Sequence, residues 1–517
     1  VTDPGGGPRP FSAAGRSQNL ADLAERRLDI LVVGGGITGA GVALEAVRRG
    51  YDVGLVDAQD FASGTSSRSS KLVHGGIRYL GQGEVGLVHE ALHERRRLRE
   101  MFPDLVRPLP FLMPIPRHLA QAAMLSAGFW TYDALSMGSG FPRHKRVSLA
   151  EARHLAPALQ RSDIRGAWKY WDAQTDDAVL TVEVIRRAAA GGALAANYAA
   201  VRHAERRGGW WIVDLEDVQG GGSLQARARY LVNAGGVWAE SIGDLAGQPA
   251  AHVRPSKGVH LSIAAASLPI HAALAFPVGG GRLLFAIPWH GYVIVGTTDG
   301  DFEGDIAAPD CTDAEAEDLV RGVNRFFHLD LDAGAVLSQW AGVRPLVSSG
   351  RDGAATKDLS RKPFITLADN GLLTVTGGKL TTFWRMALDA LALLPAPPAA
   401  AARPAVMAAP SSSERPPAEE LPGAAGYTVA DIRRATEEQM ALNLDDALSR
   451  RLRLGFLDTA ATWAAAPAAA RVMGESLGWT SIDPQLDRLA THLLRDFGYR
   501  PDRVPTAAAA ATSLVLD

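Results

Sequence analysis

Residues 29–57 constrain the fold more than any other stretch. Asp29-Ile30-Leu31-Val32-Val33 is a short β-branched run that reads as a buried parallel strand, and it runs directly into Gly34-Gly35-Gly36-Ile37-Thr38-Gly39-Ala40-Gly41. An Ala/Val/Leu-rich helix follows to about Arg49, Gly50 caps it, and Asp52-Val53-Gly54-Leu55-Val56 forms a second strand ending at Asp57. This is one βαβ unit. In Gly34-x-Gly36-x-x-Gly39 the first glycine allows a tight turn, the second lets backbone approach a pyrophosphate, and the third lets helix pack closely on strand. A phosphate then meets the positive end of the helix, and Asp57, 18 residues beyond the last glycine, can accept from a ribose hydroxyl. An ordinary glycine-rich turn would not bring strand, helix, second strand and acid into this order.

The chain has 517 residues, 47% of them hydrophobic, enough for two to four domains around large cores. With 53 basic and 56 acidic residues the net charge is −3, so no bulk positive field recruits nucleic acid. One cysteine, Cys311, excludes a disulfide within the chain and a multi-cysteine metal site, and fits a reducing, cytoplasmic setting. No metal site is expected. No run of 18 apolar residues offers a transmembrane helix, and residues 1–28, Gly/Pro-rich and then charged, read as a flexible tail rather than a secretory signal. Only seven of the basic residues are Lys, which singles out those that persist inside motifs.

Residues 230–236 (YLVNAGG) and 372–379 (LLTVTGGK) read as returns to the same sheet, the second followed by a helix from about Thr381. Residues 210–215, 283–288 and 292–298 alternate as antiparallel strands do. Residues 393–423 are dense in Ala, Pro and Ser and read as a linker, the chain beyond turns helical, and residues 505–517 read as a frayed tail.

The segment after the second strand, Gly64-Thr65-Ser66-Ser67-Arg68-Ser69-Ser70-Lys71-Leu72-Val73-His74-Gly75-Gly76-Ile77-Arg78-Tyr79-Leu80, closely resembles the aerobic, quinone-linked FAD-dependent glycerol-3-phosphate dehydrogenases and their oxidase relatives. Further matches, in the family's order, are residues 172–180 (DAQTDDAVL), 232–238 (VNAGGVW), 257–260 (KGVH), 287–299 (IPWHGYVIVGTTD), 342–346 (GVRPL) and 377–382 (GGKLTT). Residues 444–458, which include Arg450, Arg451 and Arg453, are similar to the family's helical cap. Asp57 stands where the family often has Glu, Gly236 and Val237 replace a small residue and Pro, and Pro363 replaces His or Tyr.

The resemblance implies an α/β fold: a Rossmann-type FAD domain of the glutathione-reductase and amino-acid-oxidase kind (29–100, 170–255 and 340–395), interleaved with an antiparallel-sheet substrate domain (101–169 and 256–339). A linker (396–423) and a C-terminal all-helical cap (424–517) complete the expectation. It places Gly34, Gly36, Ile37, Thr38, Gly39 and Asp57 on FAD, and Ser66, Ser67, Ser70, Lys71, Leu72 and His74 along the approach to the flavin. Gly235, Trp238, Gly378, Lys379, Leu380 and Thr381 close over it, and nothing resembles a covalent attachment.

The implied substrate is sn-glycerol 3-phosphate, oxidised to dihydroxyacetone phosphate by hydride transfer to flavin N5. A small dianion needs several fixed cations, and the resemblance places Arg78, Arg344, Arg361 and Lys379 there, with Tyr79 and His260. The catalytic set is His74, His260, Arg344 and Lys379. Removing the hydroxyl proton suits a neutral imidazole, His74 or His260, with His74 preferred because its neighbours form the densest motif. Lys257 and Lys379 each offer a cation to the reduced flavin.

Electrons pass to a membrane quinone in the family's dehydrogenases and to oxygen in its oxidases. Residues 88–135 couple a basic helix (Arg95, Arg96, Arg97) to an apolar run, residues 111–129, with Arg117 and His118; this suits either a bilayer interface or a cap on the substrate domain. The resemblance also implies a homodimer, peripheral on the cytoplasmic face of the cell membrane. The competing readings are an oxidase acting on an amino or hydroxy acid, which would need only a carboxylate clamp, and a flavin-binding sensor without catalysis.

Overall fold

The first strand (Arg27–Val33) and the helix after it (Ile37–Arg49) form where the β-branched run and the Ala/Val/Leu stretch place them, and Gly50 ends the helix at φ 97°. Ile30, Leu31 and Val32 are fully buried, each contributing about 1.5–3 kcal/mol. The computed structural model describes residues 10–115, 119–138, 140–161, 163–248, 252–279, 282–347, 362–397 and 419–500.

Around that strand lies the first sheet, in the order 363–367, 372–377, 223–233, 27–33, 53–56 and 194–196. Its inner neighbours pair in parallel and 363–367 adds an antiparallel edge. Helices Ile37–Arg49, Asp177–Ala190 and Phe383–Ala392 bury their apolar sides on one face, while a hairpin of Ala199–Arg207 and Trp210–Asp217 helps cover the other.

The second sheet runs 300–301, 253–264, 292–296, 282–289, 273–279, 107–114, 167–174 and 72–73, almost wholly antiparallel. The C-terminal helices, including Val429–Glu438, Thr459–Leu477 and Asp483–Phe497, share a core with this sheet through Trp289, Trp340 and Phe456. Cofactor sheet and substrate sheet are therefore interleaved in sequence, the helical domain follows them, and all three meet around residues 60–73.

Several expected boundaries shift. Within the expected tail, Ala13–Glu25 is a helix: Ser12 caps it, Leu20 and Leu23 enter the core, and buried Arg16 pairs with Asp217 and donates to the Asn197 carbonyl. Strand Ala167–Gln174 belongs to the second sheet, because it pairs with Arg107–Pro114 along its whole length. Val336–Val347 does too, since it runs along Val253–Ala264, which moves the return to the cofactor domain beyond residue 347. The apolar run 111–129 divides between a strand (Arg107–Pro114) and a helix (Leu119–Leu135). Most of the linker, residues 398–418, lies outside the described residues, as do Arg117, His118 and the tail 505–517.

Candidate active site

Gly34 turns the chain from strand to helix at φ 112°, where a Cβ would stand 2.5 Å from the Ala234 carbonyl oxygen. At Gly39 a Cβ would lie 1.9 Å from the Gly34 oxygen, so only glycine lets this helix start pack. Gly36, Ile37 and Thr38 consequently line a cavity of about 480 Å³ with the helix N-terminus facing it. The first turn holds no acidic residue, and the Ile37 N–H donates to Ser66 Oγ at 2.9 Å. A phosphate is favoured there by the exposed N–H groups and the helix dipole.

Asp57 lines the same cavity, its carboxylate accepting from Gly35 N–H (2.6 Å) and Gln59 N–H (2.8 Å). Burial pushes its carboxyl up to about 7, against those two bonds. Gly235, Trp238, Gly378, Leu380 and Thr381 complete the lining expected around a dinucleotide. A glycine-only cradle, an acid-free helix start and a carboxylate in the cavity wall fit the pyrophosphate and ribose of FAD.

The remaining lining gathers the expected chemistry: Ser70, Leu72, His74, Tyr79, His260, Arg344 and Lys379. His74 is anchored through its backbone, its N–H donating to Thr381 Oγ1 (3.2 Å). His260 is buried, its Nε2 2.8 Å from Ser70 Oγ and its ring stacked on Trp340. Burial, reinforced by the Lys71 and Arg344 charges, lowers the His260 imidazole to about 3, so it is neutral at ordinary pH.

Arg344 is held as a fork. One nitrogen reaches Thr297 Oγ1 (3.0 Å) and the Thr298 carbonyl (3.1 Å), the other Asp299 (3.2 Å) and the Lys257 carbonyl (3.3 Å). Lys379 follows two glycines at positive φ, and its ammonium lies 4.1 Å from the Tyr79 ring centre.

Other expected residues sit elsewhere. Lys71 and Ser67 do not line the cavity: the Lys71 ammonium is buried against Asp177 (2.9 Å) and donates to the Ser67 carbonyl, and burial lowers it to about 7. Gly39 packs beneath the cavity rather than lining it. Lys257 turns away to Glu315 (2.9 Å), which leaves Lys379 as the lysine at the site. Arg361 and the side chain of Arg78 lie outside the described residues.

Reading by residue type missed three supports. Thr297 and Thr298 orient Arg344, and Gly258 leaves it room; their signal was the presence of Thr297-Thr298-Asp299 and Lys257-Gly258 within matched motifs. Arg68 also lines the cavity, held by Asp496 at 2.7 Å. Arg95, expected on a basic surface, is fully buried and paired with Asp172, because the second sheet and the Leu119–Leu135 helix enclose it.

Comparison with known proteins places the chain in a family. The FAD dependent oxidoreductase family matches residues 29–386, and the C-terminal domain of alpha-glycerophosphate oxidase matches residues 402–483. A glycerol-3-phosphate dehydrogenase of Mycobacterium leprae is 34% identical over 539 residues, covering 94% of this chain and 91% of the relative. The aerobic glycerol-3-phosphate dehydrogenase of Bacillus subtilis is 36% identical over 381 residues, 73% of this chain and 68% of the relative. The crystal structure of a glycerol-3-phosphate dehydrogenase from Bacillus halodurans, complexed with FAD, superposes with a TM-score of 0.72 at 27% identity, covering 94% and 98% of the two chains. The chain belongs to the FAD-dependent glycerol-3-phosphate dehydrogenase family, and its cofactor is FAD.

Proposed function

We propose that this enzyme oxidises sn-glycerol 3-phosphate to dihydroxyacetone phosphate and delivers the electrons to a membrane quinone. The observation that carries the reaction is the convergence of Arg344 and Lys379 with His74 and His260 on one cavity. Two fixed cations suit a phosphate dianion better than the single carboxylate of an amino acid. FAD, when bound, supplies the acceptor for the hydride. The chain supplies binding and proton transfer: Arg344, immobilised by Thr297, Thr298 and Asp299, holds the phosphoryl oxygens, and His74 takes the hydroxyl proton. His260, whose conjugate acid is strong, is a poor base and serves as a neutral hydrogen-bond partner.

The quinone reading draws on the Leu119–Leu135 helix, which leaves Met124 (68%) and Trp130 (61%) exposed, with Met137 (68%) just beyond. On the neighbouring helix Arg96, paired with Glu100, and Arg99 reach over to the Gly138 and Gly140 carbonyls, setting two arginines beside these apolar side chains. That combination suits the surface of an anionic bilayer on its cytoplasmic face. Among the described residues no helix is long and apolar enough to cross a membrane.

Anaerobic mixing of the yellow protein with glycerol 3-phosphate tests the reaction: the flavin band should bleach, and an unchanged band, or bleaching by an amino acid instead, removes the assignment. In air, stoichiometric peroxide would select the oxidase reading. Flotation with anionic phospholipid vesicles should fall in Met124→Ser/Trp130→Ser, and undiminished binding would reject this face.

A further inference from the structure

The C-terminal helical domain reaches under the cofactor cavity with two side chains. Arg453 is buried; its Nη2 donates to the Ser67 carbonyl (2.8 Å) and to Asp177 Oδ1 (3.0 Å), and its Nε lies 3.2 Å from Asp176. Asp177 is a hub. It also accepts from Lys71 Nζ, from Ser69 N–H (3.0 Å) and from Ser69 Oγ (2.6 Å), so the segment leading into the cavity-lining Ser70 is tied down from below.

Two cations, Lys71 and Arg453, thus face two carboxylates, Asp176 and Asp177, away from solvent. Both cations sit at left-handed backbone positions, φ 60° at Lys71 and 70° at Arg453, which long side chains hold only where the surroundings over-determine them.

A second contact approaches from the other side. Phe456 meets the Arg453 guanidinium at 4.0 Å and stands edge-on to Trp340 at 5.2 Å. Trp340 in turn stacks on His260 at 5.4 Å and 12°, and His260 Nε2 is bonded to Ser70 Oγ. The ionic route ends on Ser69, the residue before Ser70, and the aromatic route on His260; Ser70 and His260 are the two ends of one hydrogen bond in the cavity wall.

We propose that the C-terminal domain is a positioning element of the flavin site, with Arg453 and Phe456 as positioning residues that hold Ser70 and His260 against the cofactor. Removing Arg453 leaves two buried carboxylates with one cation, so residues 67–70 must shift or a proton must be taken up. The role of His260 rests on the function proposed above; the grip on the cofactor loop does not.

The test reads the flavin without substrate. Apoprotein of Arg453→Ala, Arg453→Lys and Phe456→Leu is titrated with FAD, following quenching of flavin fluorescence and the visible circular dichroism of the bound flavin. Arg453→Ala should bind FAD at least 10-fold more weakly with an altered dichroic band, and guanidinium in solution should restore both in part. Phe456→Leu, which leaves every ion pair in place, should alter the band while changing affinity less than 3-fold. Should Arg453→Ala fail to fold, Arg453→Lys, which keeps charge but not the fork, is read in its place and should show an intermediate loss. Wild-type affinity and an unaltered band in the Arg453 variant, or an unaltered band in Phe456→Leu, overturns the proposal. Failure of glycerol 3-phosphate to bleach the wild-type flavin counts against the proposed reaction alone.

Discussion

Gly258 and Arg344 compete for the same space: a Cβ at Gly258 would stand 2.3 Å from the Arg344 guanidinium. The two lie diagonally across paired strands, Gly258 opposite Gly342 and Arg344 opposite Ser256, and the missing side chain of one is what lets the other fold back onto Thr297 and Thr298. Gly258→Ala therefore displaces side-chain ends, the Arg344 guanidinium and the Thr297 hydroxyl at 2.6 Å, rather than backbone. The variant should melt within a few degrees of wild type and keep its FAD. Its KM for glycerol 3-phosphate should rise on the order of 10- to 100-fold, the worth of a charge-assisted contact. An unchanged KM in steady-state kinetics would show that Arg344 does not hold the phosphate.

His74→Asn keeps a polar side chain at the cavity but removes the base. Flavin reduction by glycerol 3-phosphate, followed by stopped flow, should slow by about 10²- to 10⁴-fold while substrate affinity stays within a few-fold. A normal reduction rate would displace His74 from this role.

Asp172 accepts from the N–H of Gly75, next to His74, at 3.0 Å, and its charge is balanced by Arg95 and steadied by the Tyr132 hydroxyl. Asp172→Ala strands a buried guanidinium, so chemical denaturation should show a loss of about 3–5 kcal/mol. Asp172→Asn retains an acceptor for Gly75 and should lose less. Equal stability in all three proteins would mean that this carboxylate does not hold the loop.

For Asp57 the folded carboxyl is raised from 3.8 to about 7 by burial. The folded apoprotein thus binds this proton more tightly than the unfolded chain, and stability from this group, full below pH 4, is lost as pH rises through about 7. FAD binding has the opposite slope, because the ionised carboxylate is the better acceptor for a ribose hydroxyl. FAD affinity of the apoprotein should increase about 10-fold from pH 6 to 8, and Asp57→Asn should flatten both profiles. A wild-type affinity independent of pH would remove Asp57 from the ribose.

The lysines show how far residue type and spacing reach. Lys71, Lys257 and Lys379 all stand in matched motifs, yet of the three only Lys379 lines the cavity; Lys71 lies beneath it on Asp177 and Lys257 points to Glu315. Motif density shows that a position is constrained, whereas its partner shows by what. The helix Ala13–Glu25 was hidden for a related reason. Its apolar side is only as wide as Leu20 and Leu23, and its charged Arg16 is buried by a partner, Asp217, 201 residues away.

The sequence by itself determined the cofactor half of the site. Gly34, Gly36, Gly39 and Asp57 act mainly through local backbone conformation and short-range spacing, which a single βαβ unit encodes. Tertiary structure decided which charges line the cavity and which are buried in ion pairs away from it. Arg95 enters the core only because Asp172, 77 positions on, is there to meet it. Arg453 reaches Asp177 across 276 positions of chain. The free energy of a buried charge depends on its partner and on the exclusion of water, and both are set by packing between distant segments rather than by the neighbours in sequence.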